Sequence, residues 1–280
     1  MNRILNSLAS LVVLFASSVA IAQEATPVAP KEKCCSEIKK EECCSEFKID
    51  WTASASLYSL NAGDILVIDN KFSTDLTKDL TVGIGVPVIN NDNQSTGEGL
   101  AWQLNNGGVE ESTTGFSDIT FFFAYDLWDG KCSFLGKDTS VDLIGGVQAP
   151  IDGAYSSDTP VWYIGGIFGV TDSEWKVTQQ VKYSFVDEYT FDPMFGGFVD
   201  GDIFALDTKF AYHINKNFDV GVQLNQAYID GGNAILLGPC MDFAVSEKMN
   251  FNVGLGFAVS DDIPYDELNS VVGFKFGYQF

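Results

Sequence analysis

The residues of this sequence able to do chemistry are carboxylates, lysines, six cysteines and one histidine. Doubled cysteines stand at Cys34-Cys35 and Cys43-Cys44, in a short repeat: Lys33-Cys34-Cys35-Ser36-Glu37-Ile38-Lys39 returns nine residues later as Glu42-Cys43-Cys44-Ser45-Glu46-Phe47-Lys48. In an oxidising compartment these thiols, with Cys132 and Cys240, form disulfides. Capture of a soft metal, copper(I) or zinc, is the other chemistry open to them, although the C-x-x-C spacing of a structural zinc site is absent. His213 precedes the turn Ile214-Asn215-Lys216-Asn217 and has no G-x-S-x-G or comparable nucleophile context beside it, so the chain is not expected to be an enzyme and no catalytic residue or cofactor is assigned. Asp187, Glu188, Asp192, Asp200 and Asp202 offer oxygen ligands for calcium, but without the spacing of an EF-hand loop, and with Asp261 and Asp262 they read as an acidic rim. A second ionisable set, Asp126, Asp142, Lys176, Lys182, Asp207, Lys209, Asp219, Asp242 and Lys275, falls on one parity of alternating segments. That set reads either as a ladder that selects a charged solute or as pairs that neutralise one another, since charges taken out of water need partners.

What must position these residues begins with an export signal. Arg3 is followed by an apolar stretch through Leu14 and Phe15 and by Ala20-Ile21-Ala22 before Gln23, the pattern of a secretory signal peptide cleaved after residue 22. Residues 23–46, polar and rich in Cys, Lys and Glu, read as a periplasmic tail. Beyond them the texture changes to apolar residues alternating with small or polar ones, the period of a two-faced strand. Val272, Phe274, Phe276, Tyr278 and Phe280 oppose Gly273, Lys275, Gly277 and Gln279. The same alternation gives segments at 49–58, 64–72, 80–88, 119–127, 141–149, 161–170, 175–185, 203–212, 218–225, 235–243 and 251–259, twelve in all with the last.

Two features decide what covers the apolar face. The opposite face is mostly Gly, Ala, Ser, Thr, Asn and Gln, which suits the interior of a closed barrel better than a charged, solvated exterior. Trp51, Tyr125, Trp175, Tyr183, Tyr212 and Tyr278 cluster near segment ends, where interfacial girdles lie. Connections alternate between short turns and mostly longer loops, the rule of outer-membrane barrels. Sorted by length alone, the longer set carries the acidic residues and no lysine, whereas the turns mix in Lys78, Lys131, Lys137, Lys216 and Lys248. One rim is therefore strongly acidic, biasing entry toward cations, with divalent cations bridging it to surface glycolipid as a further expectation. The net charge of -22 excludes a nucleic-acid partner, and no apolar run after residue 22 is long enough for a membrane helix.

The terminal run Gly273-Phe274-Lys275-Phe276-Gly277-Tyr278-Gln279-Phe280 resembles that of bacterial outer-membrane β-barrel proteins, in which Phe274, Phe276, Tyr278 and Phe280 would form the signal read by the assembly machinery. Gly115-Phe116-Ser117-Asp118-Ile119, Tyr125 to Leu127 and Gly145 to Pro150 are similar to the transporter-like family linked to phenol degradation. The expectation is an all-β, antiparallel transmembrane barrel of about twelve strands over residues 47–280. Its function would be passive passage of small solutes, in contact with outer-membrane lipid. The alternatives are a non-conducting structural or adhesive barrel, and a secreted soluble β-sandwich that binds a ligand or metal.

Overall fold

The structure, a computed structural model, describes residues 48–60, 63–91, 113–132, 137–151, 153–187, 189–195, 197–262 and 268–280. The expected signal peptide, the tail and its four cysteines lie outside that set. The strands are β1 (Asp50–Leu60), β2 (Asp64–Asp75), β3 (Leu80–Asn91), β4 (Thr113–Phe116), β5 (Ile119–Cys132), β6 (Lys137–Ala149), β7 (Val161–Thr171), β8 (Trp175–Phe185), β9 (Tyr189–Asp192), β10 (Gly197–Asp200), β11 (Ile203–Asn215), β12 (Phe218–Ile229), β13 (Gly232–Ser246), β14 (Met249–Asp262) and β15 (Leu268–Gln279), with a 3-10 turn at Pro193–Phe195. Each of the twelve segments expected from alternation coincides with a strand of this set.

Every neighbouring pair in the wall is antiparallel, and β1 is bonded to both β2 and β15, so the sheet closes on itself. The wall is β1, β2, β3, β5 to β8 and β11 to β15, twelve strands, with β4 continuing the line of β5 alongside β3. Closure satisfies the backbone of every wall strand without an edge, the condition a sheet must meet in hydrocarbon. It also overturns the sandwich alternative, which requires two open sheets with edges. At the seam Asp50 stands opposite Gln279, and the Phe280 N–H donates to the Ile49 carbonyl at 2.9 Å.

The side of the wall that carries large apolar groups is the outside. Trp162, Val259, Phe257, Phe121, Phe210 and Phe204 are all exposed, Trp162 to 60%. Side chains of this size are left bare by a chain that still forms a regular wall, so the solvent of that face is hydrocarbon rather than protein or water. Trp128, Tyr125 and Tyr212 are exposed toward the turn end, and Trp162 and Tyr183 toward the long-connection end, two belts separated along the strands as interfacial aromatics are.

Among the described residues the inside is filled at one end. The connection between β8 and β11 folds back as a two-stranded sheet of its own, β9 paired with β10 from Tyr189↔Asp200 to Asp192↔Gly197, separate from the wall. Gly201, with φ of +90°, makes the turn that returns this hairpin to β11, a conformation a Cβ would strain. Its side chains enter two apolar clusters. Phe191 packs with Leu60, Ile65, Ile89, Tyr155 and Leu268, and Phe195 with Val161, Val186, Val199, Ile203 and Ala227. Phe195, Val199 and Ile65 have no exposed surface. These are the only large buried apolar clusters among the described residues, and both lie where the long connections leave the wall. A second strap braces them: Asp118, buried between β4 and β5, accepts from the Ser156 hydroxyl at 2.6 Å and from the Ser157 N–H at 3.1 Å, and the Ser157 hydroxyl also donates to it. This ties the Pro150–Pro160 connection over the barrel mouth and seats Tyr155.

Candidate functional site

In an antiparallel wall, directly opposed residues share a face, so one inward residue fixes its neighbours around the barrel. Gln180 opposes Asp207, Asp207 opposes Asn225, and Lys209 opposes Gln223. Asp219 opposes Asp242, Asp242 opposes Asn252, and Asn252 opposes Lys275. The polar residues that alternation put on one parity thus meet across strands. Lys209 Nζ lies 2.5 Å from Asp242 Oδ2, and Asn252 Nδ2 donates to Asp242 Oδ1 at 2.6 Å. Asn225 Nδ2 donates to Asp207 Oδ1 at 2.8 Å, and His213 Nδ1 is hydrogen-bonded to Asp219 Oδ1 at 2.7 Å. Farther round the same face Asp69 holds Lys71 at 2.9 Å, and Lys182 lies over the Tyr163 ring, 5.8 Å from its centroid.

Asp207, Lys209, Asp219, Asn225, Asp242 and Asn252 line a cavity of about 660 Å³ reaching from Lys216 and Asn217 at the turn end to Gln223 and Lys275. A second cavity of about 320 Å³ continues from it toward the long-connection end, and Tyr58, Met194, Leu236 and Val271 are in its lining. The two share Asp207, Gln223, Asn225, Asn252 and Lys275. The lumen is therefore layered: polar and roomy at the turn end, narrower and partly apolar in the middle, and filled by the hairpin clusters at the long-connection end.

The hairpin carries its own charge into this space. Asp192 is desolvated, and burial raises its carboxyl above the ordinary value of 3.8, with the Asp207 charge acting in the same sense; Lys182 and the backbone N–H groups of Met194 and Phe195 pull the other way. At the hairpin base Asp202 accepts from the Tyr183 hydroxyl at 2.5 Å and from the Val186 N–H at 3.0 Å. The Tyr183 bond first, then that N–H, hold Asp202 below the ordinary carboxylate range. Burial pushes the Tyr155 hydroxyl up to about 12. At the turn end Lys137 pairs with Asp172 and sits over the Trp175 ring, and the Lys137 hydrogen bond lowers the Asp172 carboxyl.

The structure brings six of the nine ionisable lining candidates, Lys176, Asp207, Lys209, Asp219, Asp242 and Lys275, into the lining of one cavity. Lys182 stands above it on the same face. Asp126 and Asp142 oppose each other on β5 and β6, away from that cavity, and Asp126 Oδ1 is buried with no partner among the described residues. Of the acidic residues expected at the rim, Asp187 and Asp200 are exposed. Asp192 lies in the hairpin beside Phe191, Met194 and Phe195, desolvated and acted on by the charges of Lys182 and Asp207. Asp202 is spent on anchoring the hairpin base. Glu188 and the side chains of Asp261 and Asp262 lie outside the described residues, as do Cys34, Cys35, Cys43 and Cys44. Cys240, counted among the disulfide partners, has no disulfide among the described residues and is buried at the lumen face opposite Gly221. The aromatic row Phe274, Phe276 and Tyr278 lies in β15, and Phe280 remains exposed with its ring 4.9 Å from Tyr278.

Sequence reasoning missed the hairpin. Its signal was present as apolar residues, Phe191, Met194, Phe195 and Val199, inside a connection. It was also present as a parity reversal, since Tyr58, Leu60, Ile65, Val67 and Ile89 put apolar groups on the face that is polar elsewhere along the same strands.

The sequence model of a family described as "Putative MetA-pathway of phenol degradation" matches residues 50–264. Among solved structures, an outer membrane channel from Pseudomonas putida F1 is similar, with a TM-score of 0.54 at 10% identity over 87% of this chain and 100% of that one. The NanC porin is similar with a TM-score of 0.52 at 9% identity over 82% of this chain and 98% of that one. No curated protein matches the sequence. At these identities the likeness carries the fold, that of an outer-membrane β-barrel.

Proposed function

This chain belongs to that phenol-degradation family of outer-membrane barrels, and on that premise we propose that it is a passive outer-membrane channel for small solutes, gated at its long-connection end by the β9–β10 hairpin. The observation that carries the reading is the pair of cavities joined through the polar residues Asp207, Gln223, Asn225, Asn252 and Lys275 inside a closed wall. A structural barrel has no use for a water-sized path lined by hydrogen-bonding side chains, since a core filled with packed groups is more stable. The names of the two similar structures, a channel and a porin, support the same assignment. In this reading residues 1–22 are removed on export, residues 23–46 stay in the periplasm, and the long connections, with Asp187 and Asp200, face the medium, where divalent cations meet them.

Planar-bilayer recordings of the detergent-folded protein test it. The wild type is expected to conduct in small, intermittent steps, and replacement of residues 189–200 by a short Gly-Ser linker to convert these to larger, steady ones. A second reading, a non-conducting barrel, is favoured by the same hairpin, whose Phe195 is fully buried in the mouth. Absence of current and of liposome solute flux in both proteins would establish that reading and overturn the channel.

A further inference from the structure

The layers of the lumen meet at Lys275, which lines both cavities. The charges that act on it belong to Lys71, Lys209, Asp242 and Asp69. Both carboxylates are already matched, Asp69 by Lys71 at 2.9 Å and Asp242 by Lys209 at 2.5 Å. Lys275 itself makes no hydrogen bond or ion pair among the described residues, and neither does Lys176 on the same face nearer the turn end. The remaining carboxylates of the larger cavity are each engaged by a donor, Asp207 by the Asn225 amide and Asp219 by His213. What the chamber leaves unspent is donor capacity on the ammonium groups of Lys275 and Lys176, and on Lys216 exposed at its turn-end rim, in a confined space where an unmatched charge draws a counter-charge more strongly than it would in bulk water.

The surroundings of Lys275 say more about the partner of that charge. Toward the turn end lie amides and water-sized space; toward the hairpin lie Tyr58, Met194, Leu236 and Val271, around about 320 Å³. An inorganic anion would satisfy the ammonium and leave the apolar lining against water. We infer that the lumen binds a small organic monocarboxylate, its carboxylate on Lys275 and a compact apolar body of about six carbons in the upper cavity beneath Met194. This deepens the channel reading and rests on it for the route by which the ligand enters. It also sets the interior against the acidic rim: charge at the mouth favours cations, whereas the free groups within select an anion with an apolar end.

Hexanoate is the probe, with hexylammonium and acetate as comparators, and saturation-transfer NMR on the detergent-folded protein, corrected with empty micelles, reads binding without requiring conduction. Hexanoate is expected to bind at least tenfold tighter than either comparator. Lys275→Gln should weaken it tenfold or more, Lys275→Arg should retain most of it, and Lys176→Gln should have the smaller effect. Equal binding of hexanoate and hexylammonium by the wild type overturns the inference whatever the variants do. So does unchanged binding by a Lys275→Gln protein whose heat-modifiable band shows it folded. The bilayer arm separates the two readings. Current that hexanoate neither blocks nor carries rejects the monocarboxylate and leaves the channel, whereas binding in micelles with no current in bilayers rejects the channel and leaves the site.

Discussion

Asp192 and Asp202 belong to one connection and respond to acid in opposite senses. Burial raises the folded-state pKa of Asp192, so its ionised form opposes the seated hairpin at neutral pH, and that opposition is relieved as pH falls through the raised value. Asp202 is lowered by the Tyr183 hydroxyl, so its anchoring is complete above the ordinary value of 3.8 and is lost only as pH falls through the lower, folded one. Bilayer current is therefore expected to decline first on acidification, as Asp192 protonates and the hairpin settles, and to recover at more acid pH as the base is released. Asp192→Asn should give the low current already at pH 7 and abolish the first phase; Tyr183→Phe should move the second phase to higher pH. A monotonic pH profile, identical in wild type and Asp192→Asn, would contradict this. At this scale the sequence told which side chains face inward, because strand parity is strict. It did not tell that Lys209 would find Asp242, two strands away with β12 between them, because such partners depend on stagger and side-chain reach rather than on period.

The hairpin is held by side-chain packing and by its base, and stands apart from the wall's hydrogen-bond ladder. Truncating its most buried side chain, Phe195→Ala, removes a packed ring and leaves a cavity, a change that costs about 3–5 kcal/mol when the site cannot collapse. That loss should fall on the hairpin's seat rather than on the barrel. Limited proteolysis is expected to cut within 189–200 in Phe195→Ala but not in the wild type, while the heat-modifiable band stays unchanged; cleavage of the wall strands as well would mean the hairpin is part of the barrel's own stability. The twelve wall strands were legible from sequence because each repeats one simple pattern against two uniform surroundings, hydrocarbon outside and water or small polar groups inside. Beta9, the 3-10 turn and β10 were not, since four-residue strands carry too few alternations to register, and the acidic residues around them masked Phe191 and Phe195 as solvent loop. Beta4 was hidden for the same reason of length.

Closure of the sheet through β1 and β15 makes the last strand the partner on which the whole wall depends. Phe280 contributes its N–H to Ile49 and its ring to Tyr278, so Phe280→Ala is expected to lower the fraction that migrates as the folded, heat-modifiable species, without altering conductance per folded molecule; an unchanged folded fraction would remove Phe280 from the assembly signal proposed for it. The barrel itself could be read from alternation, loop lengths and the terminal aromatics together, since each follows from hydrocarbon covering one face. The layering of its interior could not, because it arises from a connection that turns back between strands far apart in sequence. The even number of wall strands has a practical corollary. Beta1 starts and β15 stops at the same mouth, while the tight Asp230–Gly231 corner, with Gly231 at φ +81°, emerges at the opposite one. An epitope placed after Phe280 and another spliced into that corner would mark the two faces of a bilayer, and antibody access to each on sealed cells would read the protein's orientation directly.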